Sequence, residues 1–160
     1  MTPDPERRFL RHVLAVIAYR GGRVLRAAPP ELAAFRVAES GRTPSQILAH
    51  LGDLLDWSLT QLQGSQVWRE TPPAAWDQDV ERFFRGLARL DEYLASEAPV
   101  GCSAHRLFQG PLADALTHVG QLAMLRRLAG SPVRGENFFV ADITTGRVGP
   151  DQPAPRREFD

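Results

Sequence analysis

An all-α fold, and within that class a four-helix bundle, follows from three observations. Apolar residues recur at helical spacing through four long stretches, proline and glycine stand between the stretches, and no segment alternates as a half-buried strand does. Helices with narrow apolar faces must bury those faces against one another, and a bundle is the simplest way to do so.

The first helix begins near Pro5 and carries Leu10, Val13, Leu14, Ile17, Gly21, Val24 and Leu25 on one face, with Pro29 and Pro30 ending it. The second starts sharply, Thr43 supplying a cap and Pro44 the first helical position. Its stripe is Ile47, Leu48, Leu51, Leu54, Leu55, Ser58, Leu59 and Leu62, and Gly64 stops it. The third runs from about Ala75 to Ser96 around Trp76, Val80, Phe83, Phe84, Leu87, Leu90 and Leu94. The last spans roughly Pro111 to Ala129 and ends at Gly130, with Pro132 just beyond.

Residues 26 to 43 make a first connection longer than an up-down hairpin needs, which points to a crossover. After the last helix, Phe138 and Phe139 require cover, so that stretch is expected to fold back over one end of the bundle. The bundle is assigned to residues 1–143 and an extended, irregular tail to 144–160, where glycine, proline and charge prevail.

Composition narrows the function classes. With 160 residues, 43% hydrophobic and 24% charged, the chain reads as one ordinary globular domain. The basic and acidic residues cancel, 19 against 19, so no general pull on nucleic acid or anionic lipid is expected. Every basic residue is arginine, which excludes a Schiff-base or phosphate-loop lysine and fits a coding bias. The single cysteine, Cys102, cannot form an internal disulfide; with a charged N-terminus and no long apolar run, a soluble, cytoplasmic protein is expected.

Chemistry concentrates in the last helix. Asp114 precedes His118 by four residues and Gln121 follows it by three, so all three share one stripe, with the Cβ atoms of Asp114 and His118 roughly 6 Å apart. Such a pair can bind one divalent ion or orient one another for proton transfer; equally it can be a surface pair. His50, on the flank of the second helix, becomes a further ligand if it meets His118 across a helix interface. Two histidines and a carboxylate leave coordination room for water or substrate. Asp53, one turn beyond His50, is either the acceptor for its other N–H or, with Asp56, simply solvated.

Arg20 falls on the apolar face of the first helix. It therefore requires an acidic partner or an anion-admitting cleft, unless it snorkels from the stripe's edge. Near a metal it would suit an anionic substrate group or Asp114. Glu136 and Asn137 either close over the site, as ligand, base or cap, or form a turn. Arg20, Gln121 and Glu136 are thus the candidate catalytic residues. His12 and His105 receive no role.

The run from Arg42 through Thr43, Pro44 and His50 to Leu54, the later His118-Val-Gly-Gln121-Leu, and the closing Gly130-Ser-Pro-Val-Arg-Gly-Glu-Asn-Phe-Phe together resemble the DinB/YfiT-like family. The resemblance covers the chain from the first helix to about Asp142. It implies a four-helix bundle, often homodimeric, with a divalent metal held by three histidines, one from the second helix and two, four residues apart, from the last. His50 matches the first and His118 the last. Asp114 stands where the remaining histidine is usual, and Val119 replaces the customary arginine. An aspartate is shorter than a histidine, so direct and water-mediated ligation both stay open.

The resemblance implies transfer of low-molecular-weight thiols, maleylpyruvate isomerisation or amide hydrolysis. The leading expectation is a metal-dependent enzyme, using zinc or nickel, that acts as a thiol S-transferase or hydrolase on a small molecule and forms a homodimer. The competing one is a non-catalytic, stress-associated dimeric bundle whose metal site has decayed. DNA binding gains nothing from a neutral chain without a recognition motif.

Overall fold

The computed structural model describes residues 4–159; the first three residues of the N-terminal stretch and Asp160 of the tail lie outside them. The protein is mostly helical, with four long helices around one core: α1 (Pro5–Leu25), α2 (Pro44–Leu62), α3 (Trp76–Ala95) and α5 (Ala113–Leu128). A single short helix, α4 (Ala104–Leu107), stands between the last two. None of the helices is long and apolar enough to cross a membrane, among the described residues.

Local chemistry sets the ends of these helices. Asp4 accepts a hydrogen bond from the Glu6 amide at the start of α1, with Pro5 in the first turn. Thr43 and Gln46 form a reciprocal capping box on α2, each side chain bonding the other's backbone N–H. Gly64 ends the α2 region at φ 78° and Gly130 follows α5 at φ 81°, backbone conformations that glycine adopts without strain. The entry to α5 is less regular than its sequence pattern suggests. Ser103 caps α4, a wide turn follows over Phe108–Leu112, and Gly110 breaks the helical path (φ −91°, ψ −107°) just before Pro111, which has no N–H to continue the ladder.

Side-chain pairings fix the topology. Arg7 near the start of α1 donates to the Ser96 carbonyl after α3, and Gly21 lies against Phe83 near the start of α3, so these helices are antiparallel. Phe9 meets Phe108 at one end (5.9 Å between centroids), and Arg126 donates to the Val24 and Arg26 carbonyls at the other, so α1 and α5 are parallel. Arg82 reaches Ala49 and Arg89 reaches Asp56, which makes α2 and α3 parallel as well. The order is up-down-down-up, and α1 packs on α3 and α5 while α2 lies diagonally across.

This arrangement corrects the expected crossover. The 26–43 connection, with a 3-10 turn at Pro30–Ala34, stays at one end and spans the diagonal. The segment that returns along the whole bundle is 63–75, between parallel α2 and α3.

The core is built from the predicted faces. Leu14, Ile17, Leu48, Leu51, Leu55, Phe83, Leu87, Leu90 and Leu122 are all essentially inaccessible to solvent. Two polar devices sit at its margins. Arg126 is buried at the C-terminus of α5, where it donates to the Val24, Arg26 and Ser131 carbonyls and to Ser131 Oγ. Its charge there faces the negative end of two helix dipoles. Arg82 lies flat on α2 because residue 52 is glycine: a Cβ there would stand 2.7 Å from the guanidinium.

Of the two phenylalanines expected to need cover, Phe138 meets Tyr19 edge-on while Phe139 is 97% exposed. The tail is irregular but does not stand free. Val148 is buried, and Glu158–Phe159 pairs antiparallel with Gly135–Glu136 as a two-residue ladder, the one departure from helix and loop among the described residues.

Arg82 donates to Asp53 Oδ1 (2.7 Å) and Asp56 Oδ2 (2.8 Å), and the Thr71 amide donates to Asp53 Oδ2 (3.0 Å). Asp53 is 2% exposed. Asp53→Ala leaves the half-buried guanidinium with Asp56 and the Ala49 carbonyl but unpins the returning segment, and it is expected to cost about 2 kcal/mol of stability in urea denaturation. A loss under about 0.5 kcal/mol, the range of an ordinary surface change, would contradict this account.

Candidate metal centre

Each predicted ligand is placed by a helix face. His50 sits in α2 between buried Ala49 and Leu51; Asp114 occupies the first turn of α5, and His118 follows one turn later. Because α2 and α5 pack antiparallel, the two imidazoles meet edge-on, 4.7 Å between centroids at 87°. Asp114 Oδ2 lies 3.5 Å from His118 Nε2 and 3.8 Å from His50 Nε2. All three ligand atoms fall within 4.8 Å of one another.

Both carboxylate separations are longer than a hydrogen bond. The three acceptor atoms therefore face a common point without satisfying each other. Donors around a tetrahedral zinc stand about 3.3 Å apart, given metal–ligand bonds near 2.0–2.1 Å. The set is wider than that, with its three ligand atoms spread over as much as 4.8 Å. Two imidazole nitrogens and one carboxylate oxygen suit a divalent transition ion and leave coordination positions open. The shorter reach of aspartate is no obstacle, since Asp114 already stands between the two rings.

The surroundings favour the ligand form of each histidine. His118 Nδ1 is 2.8 Å from Gln121 Oε1, so Nδ1–H donates there and the Nε2 lone pair points to the centre. Gln121 thus orients a ligand. Burial holds the His50 imidazole below its ordinary value, aided by His118 and by the Arg42 charge, while Asp114 and Asp53 oppose the shift. Neutral imidazole is the form that a cation needs. Trp68 meets the His50 ring at 5.7 Å, and Trp57 meets Trp68 at 5.7 Å, so two indoles wall one side.

Asp53 is neither solvated nor the partner of His50. Both its oxygens are engaged by Arg82 and Thr71, residues that no local pattern connects to it. Asp56 is half-exposed and shares Arg82 with it.

Arg20 and Glu136 belong to a different cluster. The Arg20 guanidinium stacks on Phe138, 4.0 Å from the ring centroid, and its Nε is buried without a hydrogen bond. Burial lowers its pKa, and the Glu136 charge opposes that. Glu136 accepts from Tyr19 Oη at 2.5 Å and pairs with Arg23 Nε at 3.0 Å. Arg23 supplies charge rather than an aligned bond, for Glu136 Oε2 has no hydrogen-bond donor. The Tyr19 hydroxyl is pushed up to about 12, by burial first and then by its bond to Glu136. The expected closure of Glu136 over the centre, and the pairing of Arg20 with Asp114, are therefore not seen. The segment after α5 is locked onto α1 instead.

His12 hydrogen-bonds Thr145 Oγ1 at the surface, and His105 is exposed on α4. Burial raises the Cys102 thiol, the opposite of what a reactive thiolate needs.

Two clefts open on the triad. One, of ≈ 430 Å³, is lined by His50 together with Arg42, Gln46, Asp53 and residues 70–73. The other, of ≈ 400 Å³, is lined by Asp114 with Leu54, Trp57, Gly110 and Thr117. The wall formed by the returning segment is what sequence patterning misses. Its signals are Trp68, an aromatic in a polar loop, and the stiff Thr71-Pro72-Pro73 run.

Compared with protein-family models, curated proteins and solved structures, the chain matches none.

His50 also sets a pH dependence. Its folded pKa lies below the unfolded value of 6.5, so as pH falls through that range the unfolded chain binds the proton first and the metal-free fold loses stability. Denaturation midpoints at pH 7.5 and 5.5 should show a larger acid loss for the native protein than for His50→Gln. Equal losses would mean that His50 is not held neutral.

Proposed function

We propose that the protein is a metal-dependent enzyme acting on a small molecule, as a thiol S-transferase or a hydrolase, with His50, Asp114 and His118 holding the ion. The observation that carries this reading is the convergence of three ligand atoms within 4.8 Å of one another, with one cleft against His50 and another against Asp114. One carboxylate oxygen lies 3.5 Å from one imidazole and 3.8 Å from the other, rather than against a single partner. The resemblance to the DinB/YfiT-like family supports the same reading, and zinc or nickel suits the donors.

Such an ion would polarise a carbonyl, or lower the pKa of a bound water or thiol toward neutrality. The chain's own residues do the rest. Gln121 fixes the tautomer and ring angle of His118. Trp68, backed by Trp57, lies edge-on against one flank of His50, and the Asp53–Arg82–Thr71 network holds the opposing cleft wall. Arg20 and Glu136 act on the fold rather than the reaction, because their partners are Phe138, Tyr19 and Arg23.

Elemental analysis of untagged protein, purified without chelators, should find close to one zinc or nickel per chain. His50→Ala and His118→Ala should abolish it, and Gln121→Leu should weaken it by roughly tenfold or more. Metal far below one equivalent, unchanged in both histidine variants, would instead establish the decayed, non-catalytic bundle.

A further inference from the structure

The cleft on the His50 side carries one permanent cation. Arg42 lines it, next to the α2 cap, exposed and with no hydrogen bond, ion pair or ring contact among the described residues. The nearest buried carboxylate cannot neutralise it, for both oxygens of Asp53 are taken by Arg82 and the Thr71 amide. Gln46, one turn before His50 on the same face, uses its Oε1 to accept from the Thr43 amide, which leaves its NH₂ as a second free donor in the cleft. Facing them is a stiff wall, Thr71-Pro72-Pro73, preceded by Glu70, whose carboxylate is likewise unpaired.

Resting on the metal-centre reading above, we infer that Arg42 and Gln46 anchor the anionic group of a small, singly charged substrate whose reactive end lies at the His50–Asp114–His118 centre. A guanidinium with five N–H donors matches a carboxylate in geometry and charge, and a partly enclosed cleft strengthens that match. Glu70 on the opposite wall disfavours a second negative charge, so the site selects a monoanion over a dianion. Size follows from the cleft, whose ≈ 430 Å³ admits only a small molecule.

The test uses cobalt(II)-loaded protein, whose visible d–d absorption reports loading independently of any ligand. It is titrated with 3-mercaptopropionate, the neutral 2-mercaptoethanol and the dianionic mercaptosuccinate, each read by thiolate-to-cobalt charge-transfer absorption. The monoanion is expected to bind about tenfold tighter than the neutral thiol, the scale of one charge-assisted pair. The dianion should show no further gain. Arg42→Gln should erase the preference while leaving cobalt uptake and 2-mercaptoethanol affinity as they were, and Arg42→Lys should keep part of it. Cobalt uptake with equal affinities, or a preference that survives Arg42→Gln, overturns the anchor alone. Failure to take up cobalt overturns the metal centre, and the anchor with it.

Discussion

The pairing of Arg82 with Asp53 and Asp56 joins α2 to α3 at the level where the candidate centre lies, and much else depends on it. It holds two parallel helices together, an arrangement that no short hairpin can enforce. Through the Thr71 amide it also fixes the segment that returns along the bundle, and that segment becomes a cleft wall. By consuming both Asp53 oxygens it deprives His50 of a carboxylate on its own helix, so the imidazole turns to Asp114 across the interface. A buried carboxylate is costly unless every lone pair is used. Here it is used almost completely, with glycine at 52 giving the guanidinium its place.

The two charged clusters of the molecule divide its work. Around Tyr19, Arg20, Arg23, Glu136 and Phe138, charge and aromatic faces lie against each other and close one end of the bundle, although Arg20 Nε and Glu136 Oε2 keep no hydrogen-bond partner among the described residues. Around His50, Asp114 and His118 the groups approach but do not bond. Folding ordinarily pairs buried polar groups. Here three donor atoms converge within 4.8 Å with no hydrogen bond between them, an arrangement that could hold a metal ion. Arg42, in the same cleft as Asp53, has no partner among the described residues.

Much of the candidate site was legible because helix periodicity is a local rule. The spacing of Asp114, His118 and Gln121 places them on one stripe whatever surrounds the helix, and the Gln121 contact follows from it. That His50 could join them was open from its place on the flank of α2, but nothing in α2 alone directs it toward α5. Arg20 shows the reverse. Its position on an apolar face correctly signals an unusual environment, but the same signal serves an aromatic stack as well as an anion site. Glu136 and Asn137 were open between closing over the site and forming a turn: Asn137 caps a 3-10 turn, and Glu136 meets Tyr19 and Arg23 instead of the centre.

By itself the chain determines four amphipathic helices, their caps at Asp4 and Thr43, their glycine stops and the residues that fill the core. These depend on steric and hydrogen-bonding preferences acting within a few residues. Tertiary structure alone decides that α2 and α3 run parallel, that residues 63–75 rather than 26–43 travel the length of the bundle, and that Asp53 is spent on Arg82. Those outcomes depend on which helix lies beside which. Apolar faces of similar width and hydrophobicity can pack in more than one order, and only the summed fit of particular side chains, Arg82 over Gly52 among them, selects the one adopted.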